Sequence, residues 1–129
     1  MQKNNGFTLI ELLVVLVILA TLAALVGPEL FGNVDRAQRT TAATQISNLE
    51  ASLDNYRLDV GRYPDTLQGL VENTAGSPRW NGPYLRDDVP MDPWDNPYQY
   101  DSTGRNFTLV SYGADGLPGG EDNDSDIGL

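Results

Sequence analysis

The chain has 129 residues, no cysteine and no histidine, and its formal net charge is −10. Disulfides and thiolate chemistry are therefore excluded, and the commonest general base and neutral metal ligand is missing, which disfavours enzyme chemistry and zinc sites. The acidic excess argues against nucleic acid as a partner, because phosphates attract Lys and Arg, and the length allows one modest domain.

The first predicted element is an apolar segment with one acid in it. From Phe7 to Val26 the only charged residue is Glu11, and about twenty apolar residues are what an α-helix needs to cross a bilayer. A carboxylate inside a membrane is costly and is by default a functional group with a partner. We therefore predict a membrane-spanning helix whose Glu11 pairs with a positive charge.

A polar leader, residues 1–6, precedes this segment and ends in Gly6. A secretory signal instead has its small-residue cleavage site after the apolar region. The string Gly-Phe-Thr-Leu-Ile-Glu at 6–11 resembles the class III leader of the type IV pilin superfamily. The resemblance implies that a prepilin peptidase cleaves after Gly6 and methylates the new N-terminus at Phe7, whose ammonium group would pair with Glu11. A plain signal anchor that tolerates one glutamate is the alternative.

The helix is predicted to continue well beyond the apolar segment. Pro28 should kink or locally melt it, because proline removes a backbone donor and clashes with the preceding turn. Gly61 and Pro64 should end it. We predict one helix over residues 7–60, whose second half packs on the chain's own domain rather than on a partner. Spacings that alternate between four and three place one apolar stripe on that half: Ala42, Ile46, Leu49, Leu53, Tyr56 and Val60.

The remainder of the chain is rich in turn formers and then in strand formers. Residues 62–70 indicate a turn into a short helical or loop segment. Residues 81–85 and 89–100 are too dense in proline for regular structure at their starts. Alternating aromatic and aliphatic residues over 97–101 and 106–112 predict an antiparallel hairpin. Aromatic residues in these loops are expected to be packing anchors rather than a sugar or peptide site: Trp80, Tyr84 and Trp94.

Four motifs follow one another in this part of the chain. They are Arg-Tyr-Pro at 62–64, Gly-Pro-Tyr-Leu at 82–85, Pro-Met-Asp-Pro-Trp-Asp-Asn-Pro-Tyr at 90–98 and Ser-Tyr-Gly-Ala-Asp-Gly at 111–116. In this order, and with the leader, they resemble the major pseudopilins of the type II secretion system. The sequence departs from the pattern of that family at two points. Asp95 stands where the family usually has glycine, which affects the expected turn, and a usual late tryptophan is absent, which affects the packing of the tail.

The resemblance implies a type IV pilin-like α+β fold, with a long N-terminal α-helix packed on a small antiparallel β-sheet and a C-terminal metal-binding loop. It divides the chain into a leader at 1–6, a transmembrane and fibre-core helix at 7–28 and a periplasmic globular domain at 29–129. The N-terminus would be cytoplasmic and the helix would lie in the inner membrane. Three residues are implied in assembly: Phe7, Glu11 and Pro28.

The implied function is structural rather than enzymatic. Subunits would leave the inner membrane and polymerise into a helical periplasmic fibre, the pseudopilus, which drives the export of folded proteins across the outer membrane. Minor pseudopilins and an inner-membrane assembly platform are the implied partners. On sequence alone two other functions stay open. One is a type IV pilin of a surface filament for adhesion or DNA uptake, and the other is a monomeric, membrane-anchored calcium-binding module.

The C-terminal tail carries five carboxylates interleaved with glycines. Calcium prefers oxygen ligands, about six to eight of them, from carboxylates and backbone carbonyls. The spacing leaves both a calcium loop and a solvated acidic tail open, because the tail copies only the start of an EF-hand loop. The family resemblance implies one calcium ion. Its implied side-chain ligands are Asp115, Asp124 and Asp126, with Asp122 as an alternative to either of the last two. The implied carbonyl ligands are those of Tyr112 and Leu117.

Overall fold

A computed structural model describes residues 5–128 of the chain. The first four residues of the predicted leader and Leu129 lie outside the described residues. In chain order the elements are helix α1 (Leu9–Val60), a 3-10 turn (Leu67–Leu70), strand β1 (Gln99–Ser102), strand β2 (Phe107–Ser111), a second 3-10 turn (Asp122–Asp124) and strand β3 (Ile127–Gly128).

Helix α1 confirms the predicted long N-terminal helix, although it begins at Leu9 rather than at Phe7. Its end is where the sequence places it: Gly61 has a φ of 92°, and its N–H donates to the carbonyl of Arg57 at 2.8 Å. A glycine in the left-handed region is the usual residue just past a helix end. The helix runs through Pro28 without a break, so the local melting expected there does not occur in the isolated chain.

Packing divides the chain into two units, and the division falls after Asp35. In the first unit the large apolar side chains are exposed, from Leu9 at 75% to Phe31 at 70%. By length and composition this part of α1 can cross a membrane, and none of its apolar window is buried. Residues 29–35 group with this unit by packing, and the predicted start of the periplasmic domain at residue 29 stays a prediction.

The second unit is built around the predicted apolar stripe of α1. From Ala42 to Tyr56 the stripe residues are buried, and Val60 is partly buried against them, which confirms the helical periodicity. Of the expected aromatic anchors, Trp80 and Tyr84 pack against this core. Trp94 is half-buried, and its indole N–H has no hydrogen-bond partner among the described residues. The core cluster is Ile46, Leu49, Leu53, Tyr56, Tyr63, Leu67, Leu70, Tyr98 and Leu109.

Three strands of the described chain form one antiparallel sheet in the order β1-β2-β3. The hairpin of β1 and β2, in which Tyr100 faces Leu109, confirms the predicted pair of strands. Strand β3 was not predicted, because two residues are too short to show an alternation. It pairs Ser111 with Ile127 and Val110 with Gly128, and this pairing fixes the end of the tail beside β2.

One turn depends on a non-glycine residue in the left-handed conformation. Asp95 has a φ of 61°, and its N–H donates to the carbonyl of Asp92 at 3.0 Å. Asp95 thus adopts the left-handed backbone conformation that glycine adopts most easily. Aspartate is one of the few residues that tolerate this region, whereas a β-branched side chain there is a genuine outlier.

We expect Asp95→Val to lower the free energy of unfolding by about 1–2 kcal/mol, the cost of left-handed backbone for such a residue. Asp95→Gly should change it by less than about 1 kcal/mol, because relief of strain is offset by the entropy of glycine in the unfolded chain. Urea unfolding of the full chain in detergent, followed by tryptophan fluorescence, measures both. Equal losses in the two variants would show that the Asp95 side chain matters and not its φ.

Candidate functional site

The acid in the apolar segment caps the N-terminus of its own helix. The backbone N–H of Thr8 donates to Oε2 of Glu11 at 3.0 Å, and the N–H of Glu11 donates to Oγ1 of Thr8 at 3.2 Å. This reciprocal pair is a capping box. The role of Thr8 was not predicted from the sequence, although the spacing Thr-x-x-Glu is the recognised signal for a capping box.

The predicted processing site lies next to this cap. Gly6 precedes the helix, and Phe7 is 84% exposed and also outside it. A carboxylate has more acceptor positions than the single bond from Thr8 occupies. Glu11 can therefore hold the cap and still accept a hydrogen bond from an ammonium group, which is what pairing with a newly created N-terminus requires.

The second candidate site is the tail loop, which we define as residues 113–126. The loop folds back on its own start, because the N–H of Ala114 donates to the carbonyl of Asn123 at 3.1 Å. Gly113 has a φ of 79°, and a Cβ there would lie 2.9 Å from the carbonyl oxygens of Asn123 and Ser125. A side chain at this position is thus excluded both by the backbone conformation and by the close approach of the returning chain.

The predicted metal ligands are exposed and spread around this loop. Oδ1 of Asp115 accepts the N–H of Leu117 at 3.1 Å. Both carboxylate oxygens of Asp126 accept the N–H of Gly119 at 3.1 Å. Asp122 and Asp124 lie in the second 3-10 turn. The carboxylates of Asp115 and Asp126 thus hold the loop in shape through backbone donors.

These side chains do not converge in the described structure. Among residues 5–128, no group of three or more acidic side chains is placed to hold a metal ion. Their chemistry nevertheless suits a hard cation, because carboxylate and carbonyl oxygens are what calcium binds. All four predicted side-chain ligands belong to one loop that is closed at its base, and the carbonyls of Tyr112 and Leu117 belong to the same stretch of chain. Calcium therefore stays a prediction.

Helix α1 contributes a positive charge to the tail loop. Nη1 of Arg39 donates to the carbonyl of Asp122 and to the carbonyl of Ser125, each at 3.0 Å. This contact was not predicted from the sequence. Arg39 lies 83 positions before Asp122 and 86 positions before Ser125 in the chain. No local pattern in the sequence indicates which arginine of a helix reaches so distant a loop.

The buried carboxylate of Asp92 joins the proline-rich loop, residues 89–98, to the start of the tail loop. Asp92 is only 2% exposed. Its Oδ1 accepts the backbone N–H groups of Trp94 at 3.0 Å and Asn96 at 2.8 Å, and its Oδ2 accepts the hydroxyl of Ser111 at 2.8 Å. The Ser111 hydroxyl in turn accepts the N–H of Gly113 at 3.3 Å. This role was also missed, although an Asp that bonds backbone N–H groups shortly after it is a common turn device.

The same carboxylate faces a tyrosine that ties the loop to α1. The hydroxyl of Tyr98 donates to Oε1 of Gln45. Burial, and after it the negative charge of Asp92, raises the pKa of Tyr98 to about 12. The phenol therefore stays protonated, and remains a donor to the helix, until well above neutral pH.

Removal of the Asp92 carboxylate should be costly, since it leaves three donors without their buried acceptor and each such loss costs about 1–3 kcal/mol. We expect Asp92→Ala to lower the free energy of unfolding by about 3 kcal/mol or more. Asp92→Asn keeps one carbonyl oxygen and should lose less. Urea unfolding measures both, with the exposed Asp87→Ala as the control. Equal stability of Asp92→Ala and Asp87→Ala would contradict the role of this network.

Two family models match the sequence, one for each part of the chain. A model described as "Prokaryotic N-terminal methylation motif" matches residues 1–27, and one described as "Type II secretion system (T2SS), protein G" matches residues 29–129. The two matches together cover the capped helix N-terminus, the proline-rich loop and the tail loop.

The chain is similar to proteins named type II secretion system core protein G over nearly their whole length. The type II secretion system core protein G of Pseudomonas aeruginosa is 47% identical over 98% of this chain and 95% of that protein. The protein of that name from Vibrio cholerae is 46% identical over 99% of this chain and 92% of its own. A crystal structure of the major pseudopilin from enterohaemorrhagic Escherichia coli superimposes with a TM-score of 0.60 at 37% identity, over 78% of this chain and 93% of that one.

Proposed function

The chain belongs to the protein G family of the type II secretion system, and we propose on that premise that it is the major structural subunit of a pseudopilus. The observation that supports this most is the match of both parts of the chain, the methylation motif at 1–27 and the protein G domain at 29–129. The subunit polymerises into a periplasmic fibre that drives the export of folded proteins across the outer membrane.

The first unit supplies the physical reason for assembly. Its apolar side chains have no domain to pack on, and exposed apolar surface of this extent in water is unfavourable. In the inner membrane, lipid covers residues 7–28 as a single span, with the N-terminus cytoplasmic and residues 29–129 periplasmic. In the fibre, the same surface of neighbouring subunits covers it, and Pro28 allows the helix to adjust locally there.

Processing prepares the subunit for this step. Cleavage by prepilin peptidase after Gly6 creates an ammonium group on Phe7, which is then methylated. That group is the positive partner of Glu11, either in its own helix or in a neighbouring one. Minor pseudopilins and the inner-membrane assembly platform are the further partners. This function needs no catalytic residue, and a surface pilin or a monomeric calcium module is not favoured by the family match.

We expect Glu11→Leu to leave membrane insertion and cleavage intact and to abolish or misregister the fibre, because a charge pair is lost while apolarity rises. Electron microscopy of filaments and cross-linking in membranes measure assembly, where a fibre yields a ladder of multimers. Glu29→Leu removes an acid from the same helix, away from the N-terminal charge, and should assemble normally.

The mass of the mature protein provides the processing control. Both variants and the wild type should begin at Phe7. Normal filaments and secretion from Glu11→Leu would refute the pairing role, and a different N-terminus would refute the assigned cleavage site.

We further propose that the tail loop binds one calcium ion. Asp115, Asp122, Asp124 and Asp126 would supply carboxylates, and Tyr112 and Leu117 would supply carbonyls. Such an ion would bring charge compensation to a segment whose like charges otherwise repel one another. Support comes from the donor chemistry, from the closed base of the loop and from the family resemblance.

Calcium should then act as folding energy for the tail. A ligand that binds only the folded state adds about 2.7 kcal/mol at a concentration a hundred times its Kd. We expect the full chain in detergent to melt at a higher temperature in calcium than in chelator, with a smaller gain in Asp115→Ala and Asp124→Ala. The exposed Asp101→Ala is the matched control and should keep the full gain.

Magnesium should substitute poorly for calcium, because it requires a tighter octahedral shell than a loop of carboxylates and carbonyls offers. Identical melting temperatures of the wild type in calcium and in chelator would mean that the tail is a solvated acidic terminus without a metal.

A further inference from the structure

The tail contains an unusual imbalance of charge. Five carboxylates lie between Asp115 and Asp126, and the sequence has no Lys or Arg after Arg105. Any side-chain cation that compensates this segment must therefore come from another element. Arg39 of α1 is such a side chain, because its guanidinium bonds the tail loop directly.

The position of Arg39 on α1 explains why it can reach the loop. Arg39 precedes Ala42 by three residues and Ile46 by seven, and residues three, four and seven apart share a helix face. Ala42 and Ile46 are buried against the domain, at 0% and 2% exposure. Arg39 thus continues the packed face of α1 by one turn, with a charge where the apolar stripe ends.

The bonds of Arg39 connect one turn of the tail loop to α1. The two carbonyls that Nη1 of Arg39 contacts belong to Asp122, the first residue of the second 3-10 turn, and to Ser125, which follows that turn. The carbonyl of Asp122 also accepts the N–H of Ser125 at 3.3 Å and its hydroxyl at 2.7 Å, so the turn is already closed by its own bonds. Hydrogen bonds from a charged donor are roughly twice as strong as neutral ones, so one guanidinium nitrogen holds both sides of the turn to α1.

We propose that Arg39 is the positioning residue of the tail loop. Its guanidinium fixes the turn at Asp122 and Ser125 to α1 and compensates part of the charge of the loop. A consequence, which rests on the proposed calcium site, is that Arg39 prearranges the loop for the ion. Replacement of Arg39 should then weaken calcium binding, because the ion must order a looser loop when it binds.

The first test needs no metal. Hydrogen exchange is measured on the full chain in detergent and chelator, for the wild type, Arg39→Met and the control Arg36→Met, which lies on the same helix and is exposed. We expect amides of the tail loop to exchange at least about tenfold faster in Arg39→Met, because a less stable segment opens locally more often. The amides to follow are those of Ala114, Asp124 and Ser125, each bonded within the loop.

Two comparisons separate positioning from a general loss of stability. Amides of the core stripe of α1, from Leu49 to Tyr56, should keep wild-type protection in Arg39→Met. Arg39→Lys should recover part of the loop protection, because a lysine ammonium can also donate to carbonyls although it lacks the guanidinium fork. Unchanged loop exchange in Arg39→Met, or equal acceleration of loop and core, would overturn the proposal.

The second test addresses the consequence for calcium. Isothermal titration of the same variants with calcium chloride should give a Kd about tenfold higher in Arg39→Met than in the wild type and in Arg36→Met. Tighter binding in Arg39→Met would show that the positive charge of the guanidinium opposes the ion and would overturn the prearranging role. If the wild type itself binds no calcium, the calcium proposal fails, and the hydrogen exchange alone decides whether Arg39 positions the loop.

Discussion

Burial of one stripe of α1 against the sheet and the first 3-10 turn decides which part of the helix belongs to the domain. Leu53 of α1 and Leu109 of β2 are both 0% exposed in this core, and complete burial of such side chains contributes about 1.5–3 kcal/mol each. Before Ala42 the helix has no such contacts, and its apolar side chains are exposed. One helix is therefore half domain core and half assembly surface, and the change occurs where the stripe ends.

The C-terminal part of the domain depends on polar contacts rather than on a larger core. Asp92 binds the proline-rich loop to Ser111, at the end of β2, and Ser111 is also one of the two β2 residues that pair with β3. The tail loop leaves the sheet and returns to it within this small region. Arg39 then adds a contact to α1. These contacts close the tail loop without an ion. Its carboxylates are exposed.

Local patterns predicted those elements that local physics determines. The spacing of the stripe on α1, the alternation in β1 and β2 and the glycine that ends the helix are all short-range signals, and the structure confirms them. The capping box at Thr8 had such a signal and was missed. Strand β3, the buried bonds of Asp92 and the reach of Arg39 depend on which distant segments meet. The ligands of the proposed calcium ion stay a prediction for the same reason, because a ligand set depends on which parts of the loop meet.

The capping box changes how the acid in the membrane helix is understood. An isolated carboxylate there would be costly, but Oε2 of Glu11 already accepts the N–H of Thr8, and the positive end of the helix dipole favours a negative charge in the first turn. Part of the cost is therefore offset within the subunit before any partner arrives. The proposed charge pair with a processed N-terminus would need to supply only the rest, because Glu11 can keep the cap while it accepts a further hydrogen bond.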